Sequence, residues 1–561
     1  MELETRLTRR AILRGLGVGA LVGPAATLLS ACGPQVSTAA KPTAPAAQTA
    51  PNAAPGAATL APASTGGPRP GGTFNWYLPD DPPDLDPHMQ TTSSLQWVSG
   101  MVYNGLLKYD IRPGNTPDTS GASTPIPDLA ESWEQPDPLT YVFHLRRGVL
   151  FHDGAEVTAD DAAFSLDRIR TNKPEFQRSY AFEPVDSAQA ADRYTLRVTM
   201  KAPYAPFINQ VAAAYTRIAP RAEIEKLGDL KQTMIGTGPF KLKEYSRGNR
   251  FVLERNPNYF GAPLPYLDSI NIRVLPDQSA QLAAFNAHQL DAYQPSNIAD
   301  FNNLKQSMPG IGSLKFQDMQ VNGIGFNVTQ KPFDDIRVRQ ALWYAVDQDE
   351  IIKLAWQGEA YKHRAVPPSL TGWAVPYEQL PLSDSPNLDK ARQLLSDAGY
   401  PNGLDFECKT VYRYTQKEAQ VVSEQLKRIN VNMKILDVEY GAFLNARNTN
   451  DFQAIAFSLA PFGDVEDFTY SLFKTTSSRN YGKWGNSDLD QQLEAARQEV
   501  DVDKRKALYR PIQEELARQC YLLDVPRGFM YEVWQPNVKD FVSTANPERG
   551  LAYHYVWLDK A

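Results

Sequence analysis

At 561 residues the chain is too long for a single hydrophobic core, so two or more domains are expected. Apolar residues at 42% and charged residues at 22% are ordinary for a soluble globular body. The net charge of −7, with no Lys/Arg-rich block beyond the N-terminus, argues against nucleic acid as a partner.

The first 32 residues read as an address. Arg6, Arg9, Arg10 and Arg14 form a positive region, followed by an apolar stretch from Leu16 to Leu29. That stretch is too short and too rich in Gly and Ala to span a membrane comfortably. Thr8-Arg9-Arg10-Ala11-Ile12-Leu13 resembles a twin-arginine export signal. Leu29-Ser30-Ala31-Cys32-Gly33 resembles a bacterial lipobox, in which the cysteine thiol is acylated and becomes the new N-terminus; Cys32 is the expected lipidation site. Residues 33–70 are almost all Ala, Pro, Thr, Ser and Gly. Such a segment cannot bury enough surface to offset its ordering entropy, and it is expected to be a tether reaching roughly 35 Å.

The folded body is expected from Gly71-Gly72-Thr73-Phe74 onward. Tyr141, Phe143 and Leu145 alternate with Val142 and His144, the pattern of a strand, and Val149 and Phe151 resume it up to the turn at Asp153-Gly154. Thr158-Ala159-Asp160-Asp161 reads as a capping box opening a helix toward Arg170. Val338, Ala341, Leu342 and Ala345 fall on one helical face. Ala391, Leu394, Leu395 and Ala398 repeat that spacing, with Asp389 as the N-cap and Gly399 as the stop. Leu404, Phe406 and Cys408 then alternate as a strand. Thr415-Gln416-Lys417-Glu418 caps a helix with Ala419, Val422, Leu426 and Ile429 on its apolar face, and Val431, Met433 and Ile435 alternate again. Strand, helix and strand in so short a span predict a βαβ unit and an α/β fold with parallel pairing.

Catalytic and metal-binding patterns are missing. None of the six histidines, His88, His144, His152, His288, His363 and His554, forms a close ligand pair. No GxSxG elbow occurs. Gly15-Leu16-Gly17-Val18-Gly19 precedes no fold element, and Gly236-Thr237-Gly238-Pro239 reads as a tight turn. The acidic run Asp80, Asp81, Asp84, Asp86 lacks calcium-loop spacing and reads as a solvated loop. Cys408 and Cys520 are expected as buried free thiols, with a Cys408–Cys520 bridge as the alternative. No metal, cofactor or enzymatic activity is expected; a lipid-anchored hydrolase and a solute sensor are the competing classes.

Several blocks carry a resemblance. They are Asp84-Leu85-Asp86-Pro87-His88, Val102-Tyr103-Asn104-Gly105-Leu106-Leu107, Leu129-Ala130-Glu131-Ser132-Trp133, the long run from Leu139 to Asp161, Gly236-Thr237-Gly238-Pro239-Phe240, Arg255-Asn256-Pro257-Asn258-Tyr259 and the run from Pro332 to Leu342. In this order they resemble the bacterial extracellular solute-binding proteins of family 5, which include the oligopeptide-, dipeptide- and nickel-binding proteins of ABC importers. The resemblance implies a two-lobed Venus-flytrap body of the large peptide-binding type. Lobe I would comprise residues 71–110, 235–318 and 533–561, with an inserted subdomain at 111–234, and lobe II residues 319–532. Hinges would lie near 235, 318 and 533. It further implies a monomer, a peptide or other oligomeric polar solute, a partner permease with its ATPase subunits, and a lipid-held place on the outer face of the cytoplasmic membrane.

By the same resemblance, Tyr293, Gln294, Ser296, Asn322, Phe326, Arg447 and Ser458 are candidate ligand-facing residues. The chain departs from its relatives at one point. Where the peptide-binding proteins carry an aspartate for the ligand's α-ammonium, this sequence has Pro461 or Phe462, depending on the anchor chosen. Neither side chain accepts a hydrogen bond from an ammonium. Either the solute lacks a free α-amine, or Asp464 takes the role.

Overall fold

The computed structural model describes residues 67–89, 92–113, 124–171, 178–411, 415–459, 464–543 and 549–559. Cys32, Pro461 and Phe462 lie outside the described residues.

The body is mixed α/β and is organised around three larger sheets and a three-stranded one formed by Ala292–Tyr293, Met530–Trp534 and Gly312–Phe316. The strand Thr73–Leu78 runs parallel to Ser269–Val274, and Arg250–Arg255 and Phe240–Ser246 continue the sheet antiparallel. An antiparallel four-stranded sheet follows the order Ala130–Asp137, Thr140–Leu145, Thr195–Met200, Val185–Asp192. The alternation seen in the sequence is real: Tyr141, Phe143 and Leu145 are buried, and His144 is half-exposed. The helix Ala159–Thr171 covers this sheet.

The third sheet has five strands in the order Val431–Asp437, Leu404–Thr410, Ala454–Leu459, Val321–Phe326, Leu522–Val525. Leu404–Thr410 and Val431–Asp437 are parallel neighbours joined through the helix Gln416–Leu426, the expected βαβ unit. Side chains alternate between two cores: Ala454 and Ala456 join one, Ile455, Phe457 and Leu459 the other. Both faces are therefore covered.

Helix ends follow local rules with one correction. Asn387, not Asp389, caps the helix Leu388–Asp397, accepting from the Lys390 N–H, and Asp389 sits in the first turn. The other end closes as a Schellman turn: Gly399 at φ +93° lets its N–H reach the Ser396 carbonyl and the Tyr400 N–H reach Leu395. Cys408 and Cys520 are buried and unpaired.

The acidic run is not a solvated loop. Asp86 is fully buried, takes the Arg168 guanidinium in two bonds of 2.6 and 2.7 Å, and also accepts from the Leu230 N–H. Asp81 accepts from Tyr245 and the Gly248 N–H. Gly236 and Gly238 lie against the Val102 backbone, where a Cβ at Gly236 would stand 2.1 Å from the Val102 carbonyl oxygen. Close approach of two backbones, beyond the turn itself, requires glycine there.

Candidate site between the lobes

The five-stranded sheet is reached through two short segments. One joins Gly312–Phe316 to Val321–Phe326, and the other joins Leu522–Val525 to Met530–Trp534. The second crossing runs through residues 526–529, so Val533 lies inside a strand. Asp318 on the first crossing pairs with Arg527 on the second, at 2.6 and 3.2 Å. The Tyr361 hydroxyl donates to the same carboxylate, and Ala360–Tyr361 forms a two-residue ladder with Arg527–Gly528. A forked, buried ion pair thus ties the crossings together.

A second junction joins residues 178–215 to residues 464–505. Asp464 is buried and accepts four hydrogen bonds: two from Arg505 at 2.7 and 3.0 Å, one from Asn209 at 2.9 Å and one from the Glu466 N–H. Glu466 accepts from Arg497 at 2.6 Å and from the Tyr204 hydroxyl at 3.1 Å. Asp467 accepts from the Tyr180 hydroxyl at 2.6 Å and from Gln210. The Ala205 N–H donates to the Arg497 carbonyl, and the Arg497 guanidinium lies over the rings of Tyr204 and Tyr470.

Burial acts differently on the two carboxyls. It opposes ionisation of Asp464, but the Arg505 charge and hydrogen bonds outweigh it and hold the group below the usual carboxylate range. For Glu466, burial together with Asp464 and Asp467 prevails over Arg497 and lifts the carboxyl to about 7. The arrangement contains fixed carboxylate–guanidinium pairs and no nucleophile–base pair. Among the described residues there is also no cluster able to hold a metal ion.

Residues 124–480 match the profile of bacterial extracellular solute-binding proteins, family 5, middle portion. The chain belongs to this family. It is a solute-binding protein of the two-lobed class, a family of binding proteins rather than enzymes. It is 28% identical over 497 residues to the dipeptide-binding protein of Escherichia coli (strain K12), covering 82% of this chain and 90% of the relative. It is also 28% identical over 480 residues to heme-binding protein A of Haemophilus influenzae, covering 80% and 85%. The solved periplasmic binding protein DppA of Helicobacter pylori, in complex with the peptide STSA, superposes with a TM-score of 0.76 at 25% identity. That match covers 88% of this chain and 99% of the solved one.

The family 5 residues singled out by resemblance fall in three settings. Tyr293 and Phe326 are core side chains: Tyr293 packs on Tyr77 and Phe285, and Phe326 stacks on Phe333 at 4.6 Å. Gln294 is half-buried and donates to Glu532, and Ser296 is exposed. Arg447 lies over the Tyr481 ring at 4.4 Å, and Ser458 donates to Gln320. Asn322 is buried at the entry of the five-stranded sheet; its N–H donates to His363 and its amide to Glu418. Every Asp464 lone pair is engaged, which leaves that carboxylate no site for a solute ammonium.

Sequence reasoning missed Asp318, Arg527, Tyr180, Tyr204, Asn209, Arg497 and Arg505. The one local signal was three acids, Asp464, Glu466 and Asp467, inside an otherwise apolar stretch.

Proposed function

We propose that this protein captures a peptide-like or other oligomeric polar solute between two lobes and delivers it to an ABC import permease. The observation that carries the reading is a body joined by two paired crossings at one junction and by a buried polar network at another. Interlobe capture needs such an arrangement, because ligand affinity then comes from groups on both sides and closure is a hinge motion. In this reading lobe I comprises 71–110, 235–318 and, with the boundary expected near 533 moved back to the 526–529 crossing, 530–561; the inserted subdomain is 111–234 and lobe II 319–525. The body acts as a monomer, held outside the cytoplasmic membrane by lipid on Cys32. Relatives named for dipeptides and for heme support a solute class wider than peptides. Among the described residues no helix is long and apolar enough to cross a membrane.

One experiment covers solute and anchor. Wild type and Cys32→Ser are expressed in a bacterial host, the cells are fractionated, and the released body is analysed by native mass spectrometry. The expected result is membrane-bound wild type, released variant, and a non-covalent solute mass on the body that is lost on unfolding. A variant still held at the membrane overturns the anchor. A body that carries no solute and acquires none from a cell extract overturns capture.

A further inference from the structure

We propose that Glu418, positioned by Asn322, is the lobe II group that binds a primary ammonium on the solute. The proposal rests on the reading that solute lies between the lobes.

The first observation is a helix start that does not obey its own sequence. Thr415 and Glu418 have capping-box spacing, yet the Thr415 hydroxyl makes no cap bond to the helix Gln416–Leu426. Glu418 instead accepts from the Asn322 amide at 3.2 Å. At Thr158 and Asp161 the same spacing is satisfied locally, the acid turning back to its own helix start: the Asp161 carboxylate accepts from both the N–H and the hydroxyl of Thr158. Departure from a locally favoured arrangement marks a position used for something else.

The second observation is unmet hydrogen-bonding capacity. Glu418 Oε2, Asn322 Oδ1, Thr410 Oγ1 and Thr415 Oγ1 are all buried and have no hydrogen-bond partner among the described residues. Asn322 lies at the start of its strand, immediately after the first crossing. Thr410 ends a parallel strand, and Thr415 and Glu418 open the helix that follows. All four belong to the end of the sheet at which the strands Leu404–Thr410 and Val431–Asp437 finish, where open α/β sheets receive ligands. Every unmet atom is an oxygen that can accept. The complement is a group with several N–H donors, and an ammonium has three.

The third observation is charge. Glu418 makes no ion pair among the described residues. Its two nearby cations are engaged elsewhere: Lys417 stacks on the Trp356 ring, and Arg527 holds Asp318. Glu466 differs, since it has an ion-pair partner in Arg497 at 2.6 Å. Burial therefore holds the Glu418 carboxyl above the usual carboxylate range despite its own N–H, Lys417, Arg527 and Asn322, and its charge is costly unless a further cation arrives.

The test uses isothermal calorimetry with tripeptides built from Gly, Ala, Leu and Phe, so that the N-terminal amine is the sole cation, and with their N-acetylated twins. Wild type is expected to bind the free peptides at least tenfold tighter than the acetylated ones, and Glu418→Gln to abolish that preference. The apo variant should melt no lower than wild type, because an unpaired buried charge has been removed. Wild type that binds both sets alike, or a variant that keeps the preference, overturns the role of Glu418 while leaving solute capture intact. Wild type that binds neither set overturns the peptide-like reading on which the role rests.

Discussion

At the scale of single residues, Asp464 shows how position overrides type. An acid in a solute-binding segment suggests ligand contact, but its environment commits it to Arg505 and Asn209. Removing one partner of a buried pair leaves an uncompensated charge, which costs far more than the net worth of the pair. Arg505→Met should therefore lower stability by about 3–5 kcal/mol in urea denaturation. A loss below about 1 kcal/mol would mean that the pair is solvated in solution. Nothing in the local sequence distinguishes Asp464 from a ligand-facing acid, because Arg505 and Asn209 come from distant segments.

At the scale of elements, local reading succeeded where the forces are local. The helix Ile336–Ala345 begins after Asp335, which caps it, and buries Val338, Ala341, Leu342 and Ala345 as the spacing requires. The stop at Gly399 follows from a left-handed φ that only glycine adopts without strain. The two helix starts with capping-box spacing give a direct test. Thr158→Ala removes the hydroxyl that donates to Asp161 at this helix start and should cost about 1 kcal/mol in thermal denaturation. Thr415→Ala removes no cap bond and should stay within about 0.5 kcal/mol of wild type. Equal losses would show that Thr415 caps its helix in solution and would remove one support for the role of Glu418.

At the scale of the whole molecule, the junction between residues 178–215 and 464–505 couples shape to protonation. The Glu466 carboxyl is raised by burial from 4.5 to about 7, so the folded state favours its neutral form. Its contribution to stability is fully present below about pH 4.5 and is lost as pH rises through about 7. The melting temperature of wild type relative to Glu466→Gln should therefore fall between pH 5 and pH 8. A constant difference over that range would show that Arg497 keeps the carboxyl at its ordinary value.

The sequence by itself determined what depends on neighbours along the chain. Those features are the βαβ unit from Leu404 to Asp437, the strand Thr140–Leu145, the helix stop at Gly399 and, through ordered blocks, the family. Periodicity and turn chemistry act over a few residues, so they are written in a few residues. Only the tertiary structure decided which polar groups meet. Asp86 finds Arg168, Asp318 finds Arg527, Asp464 finds Arg505, and Glu418 finds Asn322 but no ion-pair partner among the described residues. Whether a buried acid is a strut or a binding group depends on partners brought from far along the chain. Desolvation makes that choice costly to get wrong, and desolvation exists only once the chain has folded.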